Sequence, residues 1–357
     1  MTSLYIHIPY CKTKCSYCDF LSFPSKSPEK YVKTLLNEIK ALKPKSQIST
    51  VYIGGGTPTA LPSPLLCKIL NAAAGTAAEV TVEANPGTLT PEYLKALKAN
   101  GANRLSIGLQ TTQPALLKSI SRIHSYEEFL QNYHAACQAG FENINIDLMF
   151  ALPNQTLENW QETLEQVTAL KPRHISAYSL TPAENTPLWQ ALEDKTLKLP
   201  SDEIDRQMYH YARRFLAEKG YTHYEISNFA IKGFESQHNL NCWKRVPYIG
   251  LGLGASSFDG SYRWRNTENM EEYLSHGHSH GHTKDIEKIT PQEAVSESII
   301  LGLRLTEGIN ESLIPKTHTA EVETLTKNNL LTRKNKNICL TEKGLDLANQ
   351  VFERFIT

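Results

Sequence analysis

Short β-branched runs alternate with amphipathic segments over roughly the first 180 residues of this chain. Repeated strand–helix units of this kind are typical of a parallel sheet. They predict an α/β fold that forms either a full or partial barrel or an open doubly wound sheet, because periodicity does not distinguish these forms. The predicted strands lie at 4–8, 51–53, 80–83, 104–110, 144–148 and 174–180, and the amphipathic segments between them at 31–42, 91–100, 126–139 and 157–170.

Three of the seven cysteines lie within one short segment directly after the first predicted strand. Cys11, Cys15 and Cys18 follow a C-x3-C-x2-C spacing. Thiolates are the usual ligands of iron–sulfur clusters. Three thiolates leave the fourth iron of a [4Fe–4S] cluster free to bind a small molecule through an amine and a carboxylate. This spacing therefore predicts a [4Fe–4S] cluster.

Two alternatives stay open for these cysteines. A structural zinc ion normally takes four protein ligands. The fourth would come from His7 or Asp19, although paired C-x2-C motifs are missing. The other alternative is three unrelated free cysteines, which their density in one short segment disfavours.

Composition argues against several classes of protein. Lysine plus arginine and aspartate plus glutamate both number 37, so the chain has no overall basic field that would attract nucleic acid. It contains no run of about 18 apolar residues that would predict a membrane span. The N-terminus lacks the features of a signal peptide. We therefore expect a cytoplasmic protein, in which cysteines do not build a disulfide framework.

Polar or glycine-rich residues end several of the predicted strands. Residues 54–57 (GGGT) end the second run, and glycines let a ligand approach the backbone closely. Glu83, Gln110 and Asp147 end the next three runs. Each of them alone would more readily cap a turn. Ligands of βα barrels bind at the carboxyl ends of the strands, so together these residues predict a pocket there.

Motifs along nearly the whole chain resemble those of one family. Segment 5–20 (YIHIPYCKTKCSYCDF) is similar to the opening of radical S-adenosylmethionine (SAM) enzymes. Within them it resembles the oxygen-independent coproporphyrinogen III oxidase superfamily. The further segments that resemble this superfamily are 54–59 (GGGTPT), 103–110 (NRLSIGLQ), 145–149 (NIDLM), 224–229 (YEISNF) and 238–239 (HN).

The resemblance implies a fold, two cofactors and a pocket. The fold is a partial (βα)6 TIM-like barrel with a C-terminal α+β domain that ends in a small winged-helix-like unit. The three cysteines bind the [4Fe–4S] cluster, SAM binds its open iron, and the reduced cluster cleaves SAM to a 5′-deoxyadenosyl radical. The residues implied to bind SAM are Tyr5, Tyr17, Gly55, Gly56, Thr57, Glu83, Gln110, Arg122 and Asp147.

Two departures from the oxidase pattern indicate a branch of this superfamily. The oxidase has a further cysteine two residues after the third cluster ligand, where this chain has Phe20. The oxidase also has an N-terminal extension ahead of the first strand. Both departures resemble the HemW-type haem chaperone branch.

That branch has a His-Asn-x-x-Tyr-Trp motif, and residues 238–243 of this chain are HNLNCW. The motif implies that His238 binds haem. Cys242 replaces the motif tyrosine and is a candidate second ligand, because histidine and cysteine both bind haem iron. The alternative is a buried, hydrogen-bonded histidine beside a buried cysteine.

The resemblance favours a haem chaperone that binds haem and a SAM-ligated [4Fe–4S] cluster and delivers haem to apo-proteins. The alternative is an oxygen-independent coproporphyrinogen III oxidase, a radical SAM decarboxylase of porphyrin biosynthesis. A DNA-binding regulator is disfavoured. The expected partners are haem, haem-accepting apo-proteins and an electron donor such as a flavodoxin or ferredoxin, without nucleic acid; a homodimer is left open.

Changes in pattern divide the chain into three predicted regions. Residues 1–225 form the radical SAM partial barrel, 226–285 the haem-motif and linker region, and 286–357 the C-terminal winged-helix-like unit. The histidine-rich tract at 276–282 is predicted to be a solvated loop. The glycines at 250, 252 and 254 lack the spacing of a nucleotide-binding loop and predict close backbone packing.

Overall fold

The computed structural model of the protein describes residues 1–24, 27–42, 47–276 and 283–356. Its strands are β1 (Thr2–Ile8), β2 (Tyr10–Cys11), β3 (Phe23–Pro24), β4 (Ile48–Gly55), β5 (Glu79–Ala84), β6 (Arg104–Gln110), β7 (Asn143–Phe150), β8 (His174–Ser179), β9 (Thr222–Glu225), β10 (Asn228–Ala230), β11 (Tyr248–Leu251), β12 (Ser256–Phe258), β13 (Tyr262–Asn266), β14 (Thr283–Lys288), β15 (Ile309–Asn310), β16 (Leu331–Lys334) and β17 (Asn337–Leu340). Its α-helices are α1 (Pro28–Ala41), α2 (Ser63–Ala73), α3 (Pro91–Ala99), α4 (Pro114–Ser119), α5 (Tyr126–Gln138), α6 (Leu157–Ala169), α7 (Pro187–Glu193), α8 (Asp202–Glu218), α9 (Gln237–Trp243), α10 (Met270–His276), α11 (Pro291–Arg304), α12 (Thr319–Lys327), α13 (Glu342–Asp346) and α14 (Ala348–Glu353).

Twelve strands of the described ranges form one sheet, in the order β14-β13-β12-β11-β1-β4-β5-β6-β7-β8-β10-β9. Within it, β1, β4, β5, β6, β7 and β8 pair in parallel with their neighbours. Helices connect these strands, as parallel pairing requires. The predicted partial (βα)6 barrel is therefore confirmed, and the open doubly wound alternative is wrong.

Alternation along the strands separates an apolar face from a polar one. On β1, Leu4, Ile6 and Ile8 belong to the hydrophobic core that also includes residues of α1. The intervening Tyr5 instead stacks against Tyr52 of β4, at 6.4 Å between ring centroids. Because successive side chains on a strand point to opposite faces, the helices cover the apolar face and the polar residues meet inside the barrel.

The barrel interior is filled by hydrogen-bonded polar side chains. Asn145 on β7 donates to the hydroxyl of Ser106 on β6 at 2.7 Å. The Asn145 side-chain oxygen accepts from Ser176 at 3.1 Å and from Nδ1 of His174 at 2.6 Å. Arg104 is buried beside this network, with 2% of its surface exposed. The interior is therefore a packed polar layer below the carboxyl ends of the strands.

Residues beyond 225 extend the same sheet. Strand β10 pairs antiparallel with β8, β11 pairs in parallel with β1, and β12, β13 and β14 follow as antiparallel neighbours. The predicted boundary at 225 falls in the turn between β9 and β10, which pair with each other. Region 226–285 thus adds strands to the barrel sheet. The sequence pattern predicts a haem-motif and linker region here and does not predict these strands. The three domain ranges stay predictions.

The C-terminal unit packs helices α11–α14 on the small sheet β15-β17-β16, around its own apolar core. The β16–β17 hairpin is the predicted wing. Residues 277–282, most of the histidine-rich tract, lie outside the described residues. Among the described helices, none is long and apolar enough to span a bilayer.

Candidate iron–sulfur and SAM site

A cavity of about 590 Å³ opens at the carboxyl ends of the parallel strands. Its volume is in the range of small-molecule sites, about 300–1,000 Å³. All three cysteines of the predicted cluster loop line it. Of the predicted SAM residues, those that line it are Tyr17, Gly55, Gly56, Thr57, Glu83, Gln110, Arg122 and Asp147.

The cysteine loop is held against the strand ends. Sγ of Cys11 lies 3.4 Å from the hydroxyl of Thr57, which follows β4. Arg122 donates from Nη1 to Sγ of Cys15 at 3.5 Å. Burial raises the pKa of the Cys18 thiol. A bound cation would reverse that shift, because a coordinating thiol is deprotonated by the metal.

The geometry speaks against the zinc alternative. No three His, Cys, Asp or Glu side chains in the described chain converge as the ligands of one metal ion. A cubane cluster places its thiolates farther apart, because each thiolate binds a different iron atom. Both nitrogens of His7 are engaged: the Tyr5 hydroxyl donates to Nδ1 at 3.0 Å, and Nε2 donates to the Leu21 carbonyl oxygen at 2.8 Å.

The glycine turn after β4 forms one wall of the cavity. Gly55 has a φ of 112°, a conformation that side chains strongly disfavour. A Cβ on Gly54 would lie 2.9 Å from the Glu83 carboxyl group. The amide of Thr57 donates to the Tyr10 carbonyl oxygen at 2.7 Å, which fixes the turn to the cysteine loop. The absence of a side chain at Gly54 therefore lets the Glu83 carboxyl group pack directly against the turn.

Two buried carboxyl groups face the cavity. Glu83 accepts hydrogen bonds from the Tyr52 hydroxyl at 2.7 Å and from the Gly55 amide at 3.2 Å. Burial raises the pKa of Glu83 to about 7. Asp147 accepts from Ser106 at 3.0 Å and from Asn145 at 2.8 Å, and burial raises its pKa as well. Both groups are positioned to accept hydrogen bonds from an ammonium or hydroxyl groups, which would favour their charged forms.

Arg122 supplies positive charge on the other side of the cavity. Its Nη2 donates to Asn85 at 2.8 Å and to the Gly108 carbonyl oxygen. Arg122 lines the cavity, so a carboxylate bound there would match the charge of the guanidinium.

Gln110 ends β6 in an unusual backbone conformation. Its φ is 74°, and the pairing of β6 with β7 shifts register between Gly108 and Gln110. A non-glycine residue at positive φ is a mark of strain that often accompanies function. The bulge places the Gln110 side chain in the cavity wall, where its Oε1 accepts from the Tyr178 hydroxyl at 3.2 Å.

These residues fit a [4Fe–4S] cluster with bound SAM. Three thiols supply the protein ligands of the cluster. The two carboxyl groups and the Arg122 guanidinium that line the cavity match the ammonium, hydroxyl and carboxylate groups of SAM.

Comparison with known proteins identifies the family. Residues 5–167 match the radical SAM superfamily, and residues 289–347 match the HemN C-terminal domain. The haem chaperone HemW of Lactococcus lactis is 35% identical over 369 aligned positions, which cover 99% of this chain and 97% of that protein. HemW of Bacillus subtilis is 34% identical, and that alignment covers 100% of this chain and 99% of the relative.

This chain belongs to the HemW family.

The solved structure of Escherichia coli coproporphyrinogen III oxidase, HemN, a radical SAM enzyme, superposes with a TM-score of 0.85 at 25% identity. The superposition covers 100% of this chain and 90% of that one. The HemW family thus shares its fold with this oxidase. Membership of the radical SAM superfamily makes the [4Fe–4S] cluster and SAM the cofactors of this chain.

Tyr5 lies in the barrel interior, where its ring contacts those of His7 and Tyr52. The assignments of single residues to SAM, including Tyr5, stay predictions.

Sequence motifs missed several residues that shape the site. Asn85 joins Arg122 to Thr57, since its Nδ2 donates to the Thr57 hydroxyl at 2.7 Å. Tyr178 lines the cavity, and Tyr52 supports Glu83 from below. Asn85 follows β5 directly after Glu83 and Ala84, so the rule that ligands bind beyond the carboxyl ends of strands would have found it.

The HemW-family motif lies at the opposite end of the barrel. His238 on α9 has 6% of its surface exposed. Its Nδ1 lies 3.0 Å from the Thr50 hydroxyl, and its ring lies 5.0 Å from that of Tyr52. Burial lowers the pKa of His238 to about 4, so the ring is neutral. This arrangement has the features of the buried, hydrogen-bonded alternative, and haem binding by His238 stays a prediction.

Proposed function

We propose that this chain is a haem chaperone, which binds haem and passes it to apo-proteins on a scaffold that carries a SAM-ligated [4Fe–4S] cluster. The observation that carries the proposal is its similarity, over nearly the full length of both chains, to relatives named haem chaperones. Phe20, which lies at the cavity with 64% of its surface exposed, supports the same branch, because the oxidase has a cysteine at that position.

At the cavity, the cysteine loop would hold the cluster and the strand ends would hold SAM. The Arg122 guanidinium would bind the SAM carboxylate. Glu83 and Asp147 would accept hydrogen bonds from the ammonium and hydroxyl groups. The cluster, reduced by a donor such as a flavodoxin or ferredoxin, would supply the electron for cleavage of SAM.

Haem binding by His238 requires α9 to leave its present position. The carboxylate of Glu79 accepts from the backbone amides of Gln237 and His238 at 3.0 and 2.9 Å, which holds the start of the helix in the barrel. Release of these bonds would expose the imidazole. Burial raises the pKa of Cys242 to about 11, so its thiol is protonated in the present position of α9. Haem ligation by His238 is therefore proposed for an opened form of α9.

A second candidate is oxygen-independent coproporphyrinogen III oxidation. It is favoured by the superposition of the whole chain on the oxidase from Escherichia coli. The cavity and the cluster loop serve either function, so the two candidates are distinguished by what the protein does with a porphyrin.

The test uses protein whose cluster has been reconstituted without oxygen. Haem is titrated into wild type and His238→Ala while the Soret band is recorded, and the loaded protein is then mixed with an apo-globin. If the protein is a haem chaperone, we expect the wild type to bind haem stoichiometrically and to transfer it to the apo-globin. We expect the variant to show a changed Soret band. Turnover of coproporphyrinogen III with SAM and reductant, together with no haem transfer, would establish the oxidase instead.

A further inference from the structure

A single side chain links the two ends of the barrel interior. Tyr52 of β4 contacts Glu83 at the cavity through its hydroxyl and His238 of the HemW-family motif through its ring. The motif histidine is therefore two contacts away from the SAM pocket, although α9 lies at the opposite end of the strands.

We propose that His238 is a positioning residue for the SAM pocket, which it serves by fixing the ring of Tyr52 so that the Tyr52 hydroxyl holds Glu83. This role belongs to the protein without haem; it rests on the SAM contact of Glu83 in the proposed function and not on haem binding or transfer.

The first step is the confinement of the Tyr52 ring. The His238 ring lies on one side of it, at 5.0 Å and 34° between planes. The Tyr5 ring also stacks on it, at 6.4 Å and 27°. Aromatic rings at these separations attract each other beyond the area that they bury. With both neighbours in place, the direction of the Tyr52 hydroxyl is set by packing.

The second step is the anchoring of His238 itself. The hydroxyl of Thr50 lies 3.0 Å from Nδ1, and Glu79 accepts the His238 backbone amide at 2.9 Å. Asn241 on the same helix donates to the hydroxyl of Ser3 on β1 at 3.0 Å. The imidazole is thus fixed from α9, β4 and β5, and it forms a rigid support for Tyr52. Its neutral form suits a place beside the buried Arg104.

The third step is the effect on Glu83. Burial makes the Glu83 carboxylate dependent on its donors, and the Tyr52 hydroxyl at 2.7 Å is a shorter contact than the Gly55 amide at 3.2 Å. If the Tyr52 ring tilts into the space of a missing imidazole, this bond lengthens or breaks. Hydrogen bonds to charged groups are stronger than those between neutral groups, so loss of alignment at Glu83 would weaken SAM binding about tenfold.

The experiment measures SAM affinity in reconstituted full-length protein without haem. The variants are His238→Ala, which removes the ring; His238→Phe, which keeps a ring against Tyr52 but has no atom that binds iron; and Tyr52→Phe, which removes only the hydroxyl. Tyr221→Phe is the matched control, because its buried hydroxyl donates to the Pro172 carbonyl oxygen at 2.6 Å, away from the cavity.

Equilibrium dialysis gives the dissociation constant of SAM, and the electron paramagnetic resonance spectrum of the reduced cluster with and without SAM gives an independent signature. We expect about tenfold weaker binding for His238→Ala and for Tyr52→Phe. We expect His238→Phe to lie within about threefold of wild type, because the ring contact remains. The double variant His238→Ala/Tyr52→Phe should be no weaker than either single variant, since both act through one bond.

Three results would overturn the proposal. If His238→Ala binds SAM as tightly as the control Tyr221→Phe, His238 does not position the SAM pocket. His238→Phe as weak as His238→Ala would exclude the ring contact as the cause. Additive losses in the double variant would show that the two residues act separately. If His238→Ala does not fold, Tyr52→Phe and His238→Phe still decide the outcome. If His238→Phe retains its SAM affinity but no longer binds haem, this proposal still holds. That result would concern only the haem binding in the proposed function.

Discussion

The two ends of the barrel interior use similar polar side chains, but different surroundings cover them. At the amino end, the carboxylate of Glu79 accepts from the start of α9, and His238 lies within hydrogen-bond distance of Thr50. At the carboxyl end, Glu83 and Asp147 border a cavity of about 590 Å³. The comparison teaches that similar polar side chains serve packing where a helix bonds to them and mark a candidate ligand site where they border a cavity.

The largest expected effect is at the cluster loop. Alanine at Cys11, Cys15 or Cys18 removes a thiolate ligand, so we expect almost no iron after reconstitution and no measurable SAM binding at concentrations that saturate the wild type. Iron analysis and equilibrium dialysis measure both. Cys137→Ala, at an exposed cysteine far from the loop, is the control and should retain iron. A full iron content in all three loop variants would contradict the assignment.

The second effect concerns the charge of Glu83 in the protein without cofactors. Its pKa is raised from 4.5 to about 7, so the folded state binds the proton more tightly than the unfolded state. The resulting stability is complete below about pH 4.5 and is lost as the pH rises through 7. We therefore expect the free energy of unfolding of the wild type to fall, relative to Glu83→Gln, by about 2.5 kcal/mol between pH 5 and pH 8.

Denaturant unfolding at both pH values measures this difference. The control is Glu142→Gln, whose carboxyl group lies on an exposed residue. A constant difference between wild type and Glu83→Gln across the pH range would mean that the carboxyl group is already ionised at pH 5.

The third effect concerns the amino end of the barrel, where Glu79 holds α9. Glu79→Ala leaves the amides of Gln237 and His238 without their acceptor, so we expect a loss of about 2 kcal/mol in stability. Hydrogen exchange should become faster in α9 (Gln237–Trp243). Glu79→Gln keeps an acceptor oxygen and should lose less. Unchanged exchange in α9 for Glu79→Ala would show that other contacts hold the helix.

The smallest effect concerns the shape of the Arg122 side chain. Arg122→Lys keeps the positive charge but loses the planar group that reaches Asn85, Gly108 and Cys15 together. We expect SAM binding to weaken about tenfold with the cluster retained, because lysine lacks the fork of donors. Equal affinities for the variant and the wild type would show that Arg122 contributes only its charge.

The carboxyl end could be predicted from the sequence because its residues follow strands at a fixed position. Glu83 and Asp147 interrupt apolar alternation where parallel strands end, and the glycine turn follows β4 in the same way. Arg122 was implied only by resemblance, because it lies in a loop beyond α4 where no strand pattern applies.

The amino end could not be predicted in the same way. The position of His238 is set by Thr50 and Glu79, which lie far from it in the sequence. No local sequence pattern predicts that a short helix packs against both of them. The addition of β11–β14 to the barrel sheet was missed for a similar reason, since pairing between distant strands leaves no periodic signal. The close packing predicted at the later glycines is confirmed, because a Cβ on Gly252 would lie 2.6 Å from the Tyr31 hydroxyl.

The position of β1 in the sheet has a consequence for biosynthesis. Ser3 of β1 pairs with Tyr248 of β11, so one edge of the first strand has no partner until that residue leaves the ribosome. At about 5–20 residues per second, the wait lasts roughly 10–50 seconds. During that time the strand that precedes the cluster loop offers an open edge to other nascent chains. Slower translation near residue 248 should therefore increase aggregation of this protein more than slower translation after residue 290.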